Sequence, residues 1–312
     1  MFEYVKSEIV AAAITMRHDF HFPGHLLPGT AFIILGLWWM WNAFKINSEN
    51  DRHTENSENM LLSLDKSDYV SNTPFRATYN GNGKSIFYCE GFYKIAYSTF
   101  DLLGHMLVVY YGIDLVDEWQ HMTVYVFFIL NGIIDIISHM ELYKMSHGMD
   151  YVASAIAWSA FGFLFISHTH GKTKISIFYH RELGILAVAI AVITLMQYKY
   201  EENALVAIIR GGCCTLAGTW LYQIAFLFHN PFVAENQHRN IKSNRASSLP
   251  IDKMVDETMV TMADQMETMN AVTISTWHVI LVGCVAAFVG ILATRGKQVG
   301  YKRYKRIRCS CV

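Results

Sequence analysis

"FYCEGFYKIAYSTFDLLGHMLVVYY", residues 87–111, is the stretch on which the fold turns. It is as long as a membrane-crossing helix, yet it carries Glu90, Lys94, Asp101 and His105. By hydropathy it is the weakest of seven apolar stretches in the chain. Counting it as a span places the two termini on opposite faces of a membrane, and it fixes which end of every other helix faces the same side.

The remaining chain supports that count. Of the 312 residues, 53% are hydrophobic and only 16% charged, with a mean hydropathy of +0.22 and a formal net charge of −1. The apolar residues are clumped into windows long enough for the ~30 Å hydrocarbon core, which a helix crosses in about 20 residues. The spacing predicts spans at about 27–45, 87–111, 122–140, 151–167, 181–197, 204–228 and 272–294. The fold class is therefore all-α, a seven-helix transmembrane bundle. Residues 1–24 lack the basic start and long apolar stretch of a secretory signal and read as an amphipathic segment. Residues 25–295 form the membrane domain, and 296–312 a basic tail.

Basic residues set the orientation. One face carries the loop 46–86, Lys144, Lys199 and the tail residues Arg295, Lys297, Lys302, Arg303, Lys305, Arg306 and Arg308. The positive-inside rule puts this face in the cytoplasm and the N-terminus outside or in a lumen. The tail "YKRYKRIRCSCV" is expected to attract anionic lipid, at about 1 kcal/mol per basic residue near the surface. Its Cys309 and Cys311 are candidates for S-palmitoylation. The six cysteines offer no disulfide framework, because no non-cytoplasmic loop holds a pair. Two segments stand outside the bundle. Residues 47–84 are polar and read as a flexible loop. In 250–270, Met254, Met259, Met262, Met266 and Met269 form a helical stripe, read as an amphipathic helix on the outer leaflet leading into the last span.

With the helices followed alternately up and down, the histidines gather at one face. His25 opens the first span, His105 and His121 lie near the outer ends of the second and third, and His168 and His170 close the fourth. His180 opens the fifth, His229 closes the sixth and His278 sits just inside the seventh. On the second span Glu90, Lys94, Asp101 and His105 fall within an arc of about 60° at 100° per residue. Ionisable groups in a membrane are costly and face a bundle interior or a wet cavity. Glu90 and Lys94, in acid-before-base i,i+4 order, are expected to pair, leaving Asp101 and His105 a turn apart. On the third span His121, Tyr125, Phe128, Gly132 and Asp135 share a face. The expected pocket is His25, Asp101, His105, His121, Tyr125, His168, His170, His180, Gln223 and His278. In "SHTHGKTKISIFYH", residues 167–180, His168 and His170 serve one site only if the helix has unwound by Thr169.

Several stretches, taken together and in order, resemble the transmembrane protein 45 family: "GHLLPGTAFIILGLWW", "WQHMTVYVFFILNGIIDII", "GFLFISHTHGK", "GTWLYQIAFLFHNPF" and "TWH". The resemblance implies seven spans, residence in Golgi, endolysosomal or cell-surface membranes, and no settled biochemical activity. Family members tend to carry an acid and a further histidine where this chain has Ser176 and Phe178. Other seven-span classes fit less well: the last span lacks a Schiff-base lysine, and "DIISHMELY" and "ILATRG" lack the motifs of G-protein-coupled receptors.

Three functions suit these residues. The leading one is a non-enzymatic membrane protein acting through lipid or protein contacts, among them the bilayer, anionic lipid, a membrane-protein partner or a second copy; nucleic acid is not expected. The alternative is a metal-dependent intramembrane hydrolase. It would use zinc or another transition metal, with Asp101 or His105 as base or ligand and His105, His121, His168, His180 and His278 as ligands. The third is a proton-coupled carrier with Glu90 and Lys94 as inner gate. Against it, only the second and third spans show an acid or base partway along.

Overall fold

The structure is a computed structural model that describes residues 22–45, 47–48, 89–110, 115–139, 146, 148–169, 172–201, 203–228 and 253–309. The described residues form seven helices and no strand: α1 (Phe22–Lys45), α2 (Cys89–Tyr110), α3 (Leu115–His139), α4 (Met149–Ile166), α5 (Lys174–Lys199), α6 (Ala204–Phe228) and α7 (Lys253–Cys309). Six of them, all but α2, contain windows long and apolar enough to cross a membrane. Residues 1–21 of the amphipathic segment 1–24, residues 49–84 of the polar loop 47–84, His170, His229, Cys311 and the side chain of Cys309 lie outside the described residues.

Four helices begin earlier than hydropathy predicts, α1 at Phe22, α3 at Leu115, α5 at Lys174 and α7 at Lys253, because the helix continues beyond the apolar run. For α5 the reason is local: Thr173 caps the helix by accepting the Ser176 backbone N–H at 3.3 Å. α4 starts after Gly148, whose φ of 88° lies in the left-handed region, with the Tyr198 ring filling the space a Cβ would need. At its other end α4 stops at Ile166, so the helix has unwound by Thr169, the condition for His168 and His170 to serve one site, and His170 itself lies outside the described residues. The methionine segment and the basic tail belong to the same 57-residue helix as the last span.

Neighbouring helices approach through paired glycines. Between α2 and α3, a Cβ on Gly91 would stand 2.7 Å from the Gly132 carbonyl oxygen, and one on Gly132 would stand 2.6 Å from that of Gly91. Gly162 and Gly184 do the same for α4 and α5, and Gly29 and Gly218 for α1 and α6. Lipid tails supply no hydrophobic drive between helices, so such close backbone packing is what holds them. Helices α1 to α6 surround one core. Its centre is aromatic: Phe32 lies 4.8 Å from Trp158 and 5.5 Å from Phe128, ring centre to ring centre. Tyr93 of α2 donates to the Ala31 carbonyl of α1 at 3.1 Å, joining the second helix to the first. α7 packs on α5 and α6 from outside, and only 11% of its apolar window is buried against 44–61% for the other five.

Candidate functional site: a polar seam between the second and third helices

α2 and α3 run antiparallel, and the stripe of α2 that faces α3 is buried along its whole length. Glu90, Lys94, Ser98, Asp101 and His105 recur at three- or four-residue intervals, and each is 6% exposed or less. From α3 they are met by buried Glu118, His121, Tyr125, Asn131 and Asp135. The seam has three parts.

At the end formed by Tyr110 and Leu115, five imidazoles are packed ring to ring. His105 stacks on His121 with centres 5.2 Å apart and planes 10° apart. His121 meets His168 at 5.0 Å, His168 meets His180 at 5.4 Å, and His25 touches both His121 and His180 at about 6 Å. α1, α2, α3, the α4–α5 loop and α5 each supply one ring. Three rings are held through Nδ1. His105 pairs with Glu118 Oε2 at 2.5 Å, His168 bonds to Gln120 Oε1, and His180 bonds to the Ser176 carbonyl at 2.7 Å. These oxygens accept, so each Nδ1 donates and the lone pair of a neutral ring lies on Nε2. Burial, followed by the charges of Lys172 and His25, pushes the His168 pKa down to about 3, so this ring is neutral at any ordinary pH.

The middle is sparse. Asp101 Oδ2 and both polar side-chain atoms of Asn131 are buried with no hydrogen-bond partner among the described residues. So is the Trp158 indole nitrogen, facing in from α4. A cavity of about 20 Å³ lies beside the imidazoles, with His25, Tyr97, His121 and Tyr125 on its polar side and Phe32 and Phe128 on its apolar side. That is room for about one water.

At the other end two acids and two bases are brought together from three helices. Lys94 Nζ lies 2.7 Å from Glu90 Oε1 and 2.7 Å from Asp135 Oδ2. The Arg210 guanidinium of α6 lies 3.8 Å from the centre of the Trp39 ring of α1. Its Nη1 donates to Gln197 Oε1 at 3.1 Å and its Nη2 to Ser154 Oγ at 3.0 Å. The expected Glu90–Lys94 pair is therefore one side of a larger network.

Of the residues expected in one pocket, the structure gathers His25, His105, His121, His168 and His180, with Tyr125 stacked 5.4 Å from His105. Asp101 is buried on the same stripe one turn away. His278 stands apart, its ring against Trp220 at 5.9 Å, and Gln223 is half-buried with no hydrogen bond to the cluster. Glu118, Gln120, Asn131 and Arg210 were not anticipated. Among the described residues no three His, Cys, Asp or Glu side chains converge so as to hold a metal ion.

Residues 147–291 match the model of a family of unknown function (DUF716). The match covers the helices that contribute His168, His180 and Arg210, and leaves α1, α2 and α3, with most of the seam, outside it. The chain's own six long apolar helices are those of a multi-pass membrane protein, and the family it matches has no known function.

Proposed function

We propose that this is a non-enzymatic, seven-span membrane protein that passes protons along the α2–α3 seam. α2 is the seventh span: it lies beside α3 from Gly91–Gly132 to His105–His121, so it occupies the same depth. Its low hydropathy reflects the seam it carries. The transmembrane protein 45 resemblance and residence in a Golgi, endolysosomal or cell-surface membrane belong to the same reading.

One observation carries the proposal. Every turn of α2 that faces α3 buries a group able to take or give a proton or hydrogen bond, and Asp101, midway, has an oxygen without a hydrogen-bond partner among the described residues. An unpaired buried polar group is destabilising, so this oxygen is suited to bind a water. Imidazole, carboxylate and hydroxyl are the groups that relay protons, and ionisable residues within spans mark such routes. The objection that only two helices offer mid-span charge weakens, since α6 adds Arg210 to the Lys94 network.

The test is reconstitution into liposomes enclosing a pH-sensitive dye, with a potassium diffusion potential as driving force. The expected result is acidification faster than in protein-free liposomes. A rate equal to protein-free liposomes contradicts the proposal.

A second reading rests on α7. Its exposed residues, among them Met266, Trp277, Ile280, Leu281 and Phe288, form a face suited to lipid or to another membrane protein, including a second copy. Crosslinking through Cys284, which is exposed on this helix, tests it: dimer bands in native membranes support a protein neighbour, and their absence leaves lipid.

A further inference from the structure

We infer that α7 pairs in parallel with α7 of a second copy of this chain, along a heptad stripe that starts outside the membrane and runs into it. The inference rests on the α7 reading above and is independent of the proton route. Steps of four and three residues link Val255, Met259, Met262, Met266 and Met269, and the same steps continue through Thr273, Thr276, Ile280, Gly283 and Ala287. That alternation is the 3.5-residue repeat of helices that wind round one another. It is not the face by which α7 meets its own bundle. Ala271, Val282 and Ala293 are buried there, about 150° from the stripe at 100° per residue. The stripe is open where its side chains are described: Met266 and Met269 are 66% and 70% exposed, and a Cβ on Gly283 would meet nothing within 4 Å. Gly290, the next step, already lies against Phe44 of α1, because a straight helix drifts by about 20° per heptad from this repeat.

Lipid does not suit this stripe at either end. The apolar window Thr268–Thr294 spans 27 residues, about 40 Å, as much as a hydrocarbon core and its headgroups together. Residues 253–267 continue the same helix for about 22 Å more, past the reach of acyl chains, and carry Val255, Met259, Met262 and Met266. Lys253, Asp256, Glu257, Asp264 and Glu267 all fall off the stripe, so it stays apolar in water. Inside the membrane the stripe is small amid large: Thr273, Thr276, Gly283 and Ala287 alternate with exposed Trp277, Val279, Leu281 and Phe288. Small residues let two backbones approach, and a face turned to lipid gains nothing from them. The Thr273 and Thr276 hydroxyls donate to the Met269 and Val272 carbonyls, so they bring no unmet donor to the interface. Length and topology name the partner. Residues 229–252, which lead into α7, are polar and hold no matching repeat. A second α7 does hold one. Copies inserted the same way run parallel, so each stripe residue meets its own counterpart across a two-fold axis.

The experiment is disulfide crosslinking of the purified full chain, dilute in liposomes, where the only protein neighbour is another copy. Cys284, Cys309 and Cys311 are first replaced by serine, and single cysteines are then introduced. Met269→Cys, Thr276→Cys and Ile280→Cys on the stripe are compared with Leu281→Cys and Phe288→Cys beside it, which are 54% and 59% exposed. The expected result on oxidation with copper phenanthroline is a band of twice the chain's mass from the three stripe variants and background from the other two. Gly283→Leu should lower the Met269→Cys yield roughly tenfold by holding the helices apart. Gly283 has open space in its own chain, so the leucine leaves the bundle intact. Equal bands from all five variants, bands from none, or a yield unmoved by Gly283→Leu each overturn the inference. If the stripe variants give none while Cys284 of the intact chain crosslinks in native membranes, the neighbour is a different protein and the α7 reading alone survives. If neither crosslinks, the protein-neighbour reading falls with the inference.

Discussion

Lys94 of α2 holds two carboxylates at once, Glu90 on its own helix and Asp135 on α3, each at 2.7 Å, with its side chain 1% exposed. A cation so placed has no water to fall back on, so its partners carry all of its stabilisation. Removing one side of such a pair leaves an uncompensated charge, at about 3–5 kcal/mol. Lys94→Met is expected to destabilise the protein by that amount in a detergent unfolding titration. Adding Asp135→Asn to it should recover part of the loss, and strict additivity of the two substitutions would show that they are not coupled.

Arg210 lies on Trp39 and donates to Gln197 and Ser154, a planar arrangement that a lysine does not reproduce. Arg210→Lys keeps the charge but loses the fork and the stacking. The expected destabilisation is about 1.5–3 kcal/mol, the range of hydrogen bonds to charged groups. An unchanged unfolding midpoint would mean that the charge alone matters.

The paired glycines give a graded prediction. Gly132→Val puts carbon against the Gly91 carbonyl, where a Cβ already lies at 2.6 Å, and should destabilise by about 1–3 kcal/mol or separate α2 from α3. Gly283 has nothing within 4 Å of a Cβ, so Gly283→Ala is expected to be neutral or stabilising by up to ~1 kcal/mol through helix propensity. Equal effects of the two on melting temperature would contradict the packing described.

His168 links stability to pH. Its folded-state pKa of about 3 lies below the ordinary imidazole value of 6.5. Between those values the unfolded chain binds the extra proton, so this residue's contribution to stability is present above about pH 6.5 and declines as pH falls towards 3. His168→Asn, which keeps a donor for Gln120, should flatten the fall in melting temperature across that window relative to wild type. Parallel pH profiles would show that His168 does not titrate on unfolding.

Much of the seam was legible from one strand of reasoning, that charges in a span face inwards. Glu90, Lys94, Asp101 and His105 share a helical face, and that face is buried. What the sequence hid was direction between helices. Glu118 lies ahead of the predicted span 122–140, so the reading placed it in a loop, although its i,i+3 spacing to His121 put it on the seam face. Arg210 was the lone charge in an apolar run of α6 and could have been read as Lys94 was. His278 was grouped by depth alone. Depth does not say which neighbours a helix has, and α7 packs outside the bundle, against Trp220 rather than against the histidines. His168 reached the cluster because α4 ends at Ile166, a cap that no periodicity marks.

Asp101 is the carboxylate of the seam between the histidine cluster and the Lys94 network, and its Oδ2 is buried without a hydrogen-bond partner among the described residues. Asp101→Asn keeps the shape and removes the exchangeable acid. The most direct measurement is proton uptake by liposomes containing equal amounts of folded wild-type and Asp101→Asn protein. The account predicts uptake in the wild type and at least a tenfold loss in the variant at unchanged melting temperature. Equal uptake by both proteins would contradict it.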